Sequence, residues 1–143
     1  MNGRAASVDS SFPTTNMSPL LSRTAELALN LLEKNGELLP FCYVIDHKGD
    51  RICITPSGPG ERAEESVRVE LARRLERQDV QEFAICSDME VKFAHENIPR
   101  WCLRIEFQDG SIDSAVYYFP LTLENGHASL GKYLVADVPK KEL

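Results

Sequence analysis

Histidine, tryptophan and cysteine are scarce in this chain of 143 residues, with three, one and four copies. His47, His95 and His127 fall in predicted turns without a Ser, Cys or second His at a recognisable spacing, so a catalytic triad or metal site has no positive support. No stretch approaches the roughly 18 apolar residues of a membrane span, so no membrane partner is expected. Positive charge is short as well. Sixteen Lys and Arg stand against 22 Asp and Glu, a net charge of -6. A field of that sign opposes a polyanion, which argues against nucleic acid as a partner. The opening "MNGRAASVDSSFPTTNMSP" lacks an apolar core of signal-peptide length. A cytoplasmic protein with reduced cysteines is the expectation. The terminal "KKEL" has no retention meaning without an entry signal.

What remains is ordinary material for one core. Apolar residues make up 43% and charged ones 27%, enough for a single domain. Residues 1–17 are Ser/Thr-rich with little to bury and predict a disordered tail. The domain is expected over 18–137, with a short tail at 138–143.

The first folding signal is "SPLLSRTAELALNLLEKNG". Ser18 suits a helix cap, Pro19 its first turn and Gly36 its end. Leu21, Ala25, Ala28 and Leu32 form a stripe that Leu20, Leu27 and Leu31 widen. Pro40 ends the pattern. Strands at about 40–46 and 51–55 follow, joined through "DHKGD". A two-residue loop at Lys48-Gly49 would set Val44 opposite Cys53, placing Cys42, Val44 and Cys53 on one face and Tyr43, Ile45, Ile52 and Ile54 on the other. A second helix, about 60–77, carries Ala63, Val67, Leu71 and Leu75, with acids first and arginines last to match its dipole. The glycines of "SGPGE" before it do not make a phosphate cradle, because Pro59 removes a donor and Glu61, Glu64 and Glu65 repel an anion.

From Glu82 the period becomes two. Phe83, Ile85, Met89 and Val91 alternate with Ala84, Cys86, Asp88 and Glu90. Asp109-Gly110 reads as a two-residue hairpin turn that would stack Trp101, Leu103, Ile105 and Phe107 against Tyr118, Val116, Ser114 and Ile112. Asn125-Gly126 offers another turn, before a last strand around 130–136. The order is α-β-β-α-β-β-β-β. Short connections force an antiparallel α+β sheet of five or six strands, with two helices packed on one face.

On that reading Cys42, Cys53, Cys86 and Cys102 share the face away from the helices. Their gaps of 11, 33 and 16 residues are far from metal-ligand pairs. Packing is the bland account; a redox or metal role is the alternative. The same face would gather Asp88, Arg104, Glu106 and Asp113 with Tyr117 and Phe119. The charges form either a cross-strand ion-pair lattice or the polar floor of a ligand cleft.

The order of segments resembles a group of small uncharacterised bacterial α+β proteins that carry an E-x-x-P-F, D-x-x-G, R-x-x-E-x-x-D-G pattern. Roughly residues 25–132 are covered, with matches at Glu37, Pro40, Phe41, Asp46, Gly49, Asp88, Glu106, Asp109, Gly110 and Pro120. Gln108, Leu121 and Lys132 depart from it. The resemblance implies the fold and a bacterial origin, and brings no activity and no cofactor.

Three functions compete. The first is a non-enzymatic binding or protein-interaction module that self-associates through the open sheet face at Tyr117 and Phe119. The second is a small-molecule-binding domain with a pocket between helix and sheet near Glu37 and Phe41. The third is an enzyme built on Asp88, Arg104 and Glu106.

Overall fold

The structure is a computed structural model that describes residues 19–58, 60–92, 97–108, 114–132 and 134–137, the last four and residues 61 and 114 by backbone alone. The two predicted tails, the Ser18 cap, Asp109-Gly110, Asp113 and His95 lie outside the described residues.

Helix α1, Pro19–Asn35, buries Leu20, Leu21, Thr24, Ala25, Ala28 and Leu32 along one side. Thr24 is tolerated there because its hydroxyl donates to the Leu20 carbonyl at 2.7 Å. Gly36, at φ 78°, closes the helix by donating to Leu32 O. Strands β1 (Phe41–Ile45) and β2 (Arg51–Ile54) form a hairpin. A turn of 3-10 helix over Gly60–Arg62 leads into α2, Ala63–Glu76, which buries only Ala63, Val67 and Leu71. Leu75, expected in that stripe, is 43% exposed. The chain then meanders through β3 (Glu82–Val91), β4 (Arg100–Gln108), β5 (Ser114–Glu124), β6 (His127–Leu130) and β7 (Leu134–Asp137).

The antiparallel sheet runs β2-β1-β3-β4-β5, with β6 and β7 end to end on the far edge of β5. It is therefore six strands wide, and the α+β class and element order match the sequence reading. Asn125 and Gly126 both take positive φ, the turn expected of that pair. Pro120 explains the break between β6 and β7. Gly131 N donates to Pro120 O at 2.8 Å, but proline has no N–H to return. The pairing register consequently shifts by one residue across Phe119 and Pro120, from Leu121 opposite Leu130 to Tyr118 opposite Leu134.

Two registers differ from the sequence reading. In the first hairpin Tyr43 pairs with Cys53 and Val44 with Ile52. The loop holds three residues, 47–49, with Gly49 at φ 87°. Between β4 and β5, Gln108 pairs with Ser114, so five residues connect the strands where two were expected. Leu103, Ile105 and Phe107 then stand opposite Phe119, Tyr117 and Ala115. Odd slips turn every side chain of a strand to the other face.

The helices accordingly sit on opposite faces of the sheet, correcting the one-face arrangement. Phe41, Ala84, Cys86, Leu103, Ile105, Phe119 and Leu121 pack with α1 in one cluster. Cys42, Val44, Ile54, Phe83 and Ile85 pack with Val67 and Leu71 of α2 in the other. The physical reason is composition. Both alternation sets of β1 and of the first half of β3 are apolar, so both faces must be covered there.

Phe119 tests the corrected register. It is wholly buried under α1, whereas its near neighbour Thr122 is exposed. Phe119→Ala should cost about 3–5 kcal/mol in denaturant unfolding and Thr122→Ala about 1 kcal/mol or less. Equal losses would restore the original register.

Candidate functional site

Of the residues singled out from sequence, Glu37 and Phe41 meet at one place. Between α1 and the β1–β2 hairpin lies a cleft of about 230 Å³ lined by Leu27, Leu31, Leu39, Pro40, Phe41 and Pro56, with Asn35, Glu37, Cys53 and Thr55 as its polar members. It forms because α1 packs over β3, β4 and β6 and leaves the α1 face of edge strand β2 uncovered. Phe41 is buried in its floor, and Leu39 stands 56% exposed at its rim. Leu27 and Leu31 are two of the three residues, with Leu20, that widened the helical stripe. A stripe broader than one contact was the signal for a second surface; Leu39, Cys53, Thr55 and Pro56 gave none.

The polar candidates are not assembled. Asp88 lies opposite Leu103 on the α1 face and accepts a hydrogen bond from Trp101 Nε1 at 2.8 Å. Arg104 and Glu106 lie on the α2 face, opposite Ser87 and Ile85. There Glu106 Oε1 receives Arg68 at 2.9 Å and Arg104 at 3.4 Å, while Arg68 also holds Glu64 at 3.0 Å. This network ties α2 to β4. Asp88 has no part in it.

Tyr117 and Phe119 are not on an open face either. Their rings stack with centroids 6.3 Å apart on the α1 side, Phe119 fully buried. The cysteines divide between the faces. Cys53 and Cys86 are on the α1 face, Cys42 and Cys102 on the α2 face, and only Cys53 is exposed. Among the described residues no three His, Cys, Asp or Glu side chains are grouped to hold a metal ion. His47 is exposed in its turn, and His127, at the start of β6, has Nδ1 3.2 Å from Glu33 Oε2.

On the other side of β2, Thr55, Ser57, Gly58, Arg62, Glu65, Ser66, Val69, Glu70 and Arg73 line a shallower groove of about 470 Å³. Ser66 Oγ accepts from Ser57 N at 3.1 Å, which holds the loop after β2 against α2. No helix among the described residues is long and apolar enough to cross a membrane. The chain matches no family model, no curated protein and no solved structure.

Burial sets the thiol chemistry. It pushes Cys53 up from its ordinary value, Cys42 up to about 12 against a weaker opposing hydrogen bond from Ala84, and Cys86 well up, with Asp88 adding to the effect. Iodoacetamide should therefore modify one thiol per folded chain, Cys53, with a rate still rising above pH 9.0, and Cys53→Ser should abolish the reaction. Mass spectrometry of the labelled chain checks it, and modification at Cys86 ahead of Cys53 would contradict the burial.

The same shift has a stability consequence. Below pH 9.0 the Cys42 thiol is protonated in both folded and unfolded chains, so its full contribution is present there. Above it the unfolded thiol ionises while the folded one holds its proton to about 12. Stability then falls with rising pH, by about 1.4 kcal/mol per pH unit for one such thiol. Urea midpoints taken through this range should decline less steeply for Cys42→Ala than for the parent chain.

Proposed function

We propose that this chain is a binding module that seats an apolar group in the cleft between α1 and β2. The cleft itself carries the reading: six apolar side chains converge on it, and Leu39 is left largely exposed beside it. Exposed apolar surface at a concavity is the usual mark of a binding site. Its volume is below the roughly 300–1,000 Å³ of pockets that enclose a whole drug-sized ligand. A single alkyl or aryl group suits it better than a cofactor. Glu37, Pro40 and Phe41, the E-x-x-P-F part of the resemblance pattern, all line it. The self-associating reading through Tyr117 and Phe119 loses its support, since Phe119 is buried in the α1 cluster and Tyr117 packs against it. The enzyme reading loses its own, since Asp88 and the Arg104–Glu106 pair lie on opposite faces.

The test is uptake of 1-anilinonaphthalene-8-sulfonate, followed by its fluorescence. Leu31 is half-buried at the cleft, outside the fully buried set and packed against it, so the circular dichroism of Leu31→Glu has to show a folded chain. A charge there should weaken the probe's binding by about tenfold or more, with the circular dichroism unchanged. Undiminished binding by Leu31→Glu would remove the cleft from consideration.

A further inference from the structure

Strand β2 ends the sheet, with β1 on one side and no strand of the described residues on the other. The phase of its backbone follows from the turn. Asp46 N donates to Asp50 O at 3.0 Å, so these two form a hydrogen-bonded pair, and such pairs alternate along an antiparallel ladder. Ile52 and Ile54, opposite Val44 and Cys42, therefore turn their amides towards β1. Arg51 and Cys53 turn theirs outward, and nothing among the described residues bonds to them.

Hollows lie on both sides of this edge. The apolar cleft is on the α1 face and the larger polar groove is beside α2, and Thr55 lines both. The ends differ in charge. Arg23 and Arg51 border one small hollow at the start of β2, whereas Glu37 borders the cleft at its end. None of the three makes an ion pair among the described residues.

We propose that an extended peptide segment adds to β2 as a further strand, bonding to the outward backbone groups of Arg51 and Cys53. This rests on the cleft reading and names what the cleft receives. Alternate side chains of an added strand point to opposite faces. One enters the apolar cleft, whose volume fits a leucine- or phenylalanine-sized group. The next enters the groove, where Arg62, Glu65 and Glu70 receive a polar side chain. An acidic residue at the Arg51 end and a basic one at the Glu37 end complete the complementarity.

Linear heptapeptides selected from a phage-displayed random library against the full chain, then resynthesised, are the probes. The selected sequences should alternate apolar and polar residues. Bound peptide should slow amide exchange at Arg51 and Cys53 by about tenfold or more while leaving Ile52 and Ile54, already bonded to β1, unchanged. Cys53→Pro removes an outward donor, a loss that an edge strand tolerates, and should lower peptide affinity at least about tenfold. Cys53→Ser keeps the donor and should therefore lose less affinity than Cys53→Pro. The amide spectrum of each variant reports that it is folded.

Parent-like peptide binding by folded Cys53→Pro overturns strand addition. So does a selection that returns no binder. Protection of the Arg51 and Cys53 amides in the free protein, as monomer or as dimer, also overturns it, because the edge is then already filled. If Leu31→Glu loses the fluorescent probe while Cys53→Pro keeps the peptides, the cleft reading stands and strand addition fails. If Leu31→Glu keeps both, the two fail together.

Discussion

Asp46 is buried at the head of the β1–β2 turn, and its Oδ1 accepts from Lys48 N and Asp50 N, both at 2.9 Å. Those bonds hold a three-residue loop, with Gly49 completing it by donating to Asp46 O at 3.0 Å. Loop length fixes register, and register decides which residues of β2 face which helix. With Val44 opposite Ile52, both isoleucines of β2 turn towards α2 and Cys53 turns into the cleft. A loop one residue shorter would exchange the two sets. It would place Ile52 and Ile54 in the cleft and Cys53 under Val67. Both the α2 core and the candidate site depend on this one carboxylate.

The helices are held by different balances. α1 buries six residues and anchors the larger cluster, so apolar burial accounts for its position. α2 buries three residues beneath a heavily charged surface, and its ion pairs invite credit for docking it. Magnitudes decide against them. Arg68 is 39% exposed in its pair with Glu106, and such pairs contribute roughly 0.2–1 kcal/mol. Burying Val67 and Leu71 contributes about 1.5–3 kcal/mol each. The Arg68–Glu106 contact joins α2 to β4; the apolar side chains keep the helix on the sheet.

Much of this fold is written locally. The α1 stripe, the Asn125-Gly126 turn and the alternation through "RWCLRIEF" each follow from a few neighbouring residues. Placing the helices was harder because it depends on pairing between segments. Asp46 and Gly49 mark a turn, yet the side-chain bonds that lengthen it by one residue involve Lys48 and Asp50 backbone amides that any residues there would supply. Unbroken apolar runs such as "FAIC" did carry the missing information, because a strand with one wet face would alternate. The cleft was half legible: Glu37 and Phe41 belong to it, but Cys53 reached it only through the register.

The two ends of the sheet are not equivalent, and their difference bears on where a partner strand can add. Open edges invite unwanted pairing, and proteins spoil them with bulges, prolines, charges or short length. At the β6–β7 end the pairing register shifts by one residue across Pro120, so β6 and β7 are out of phase. A straight incoming strand could pair with only one half of it. At the β2 end no such shift intervenes; brevity and the exposed Arg51 protect it instead. Those devices deter a long, flat neighbour without preventing a short one with a side chain that fits the adjoining cleft. The edge that stays competent for pairing is the one with hollows on both its faces.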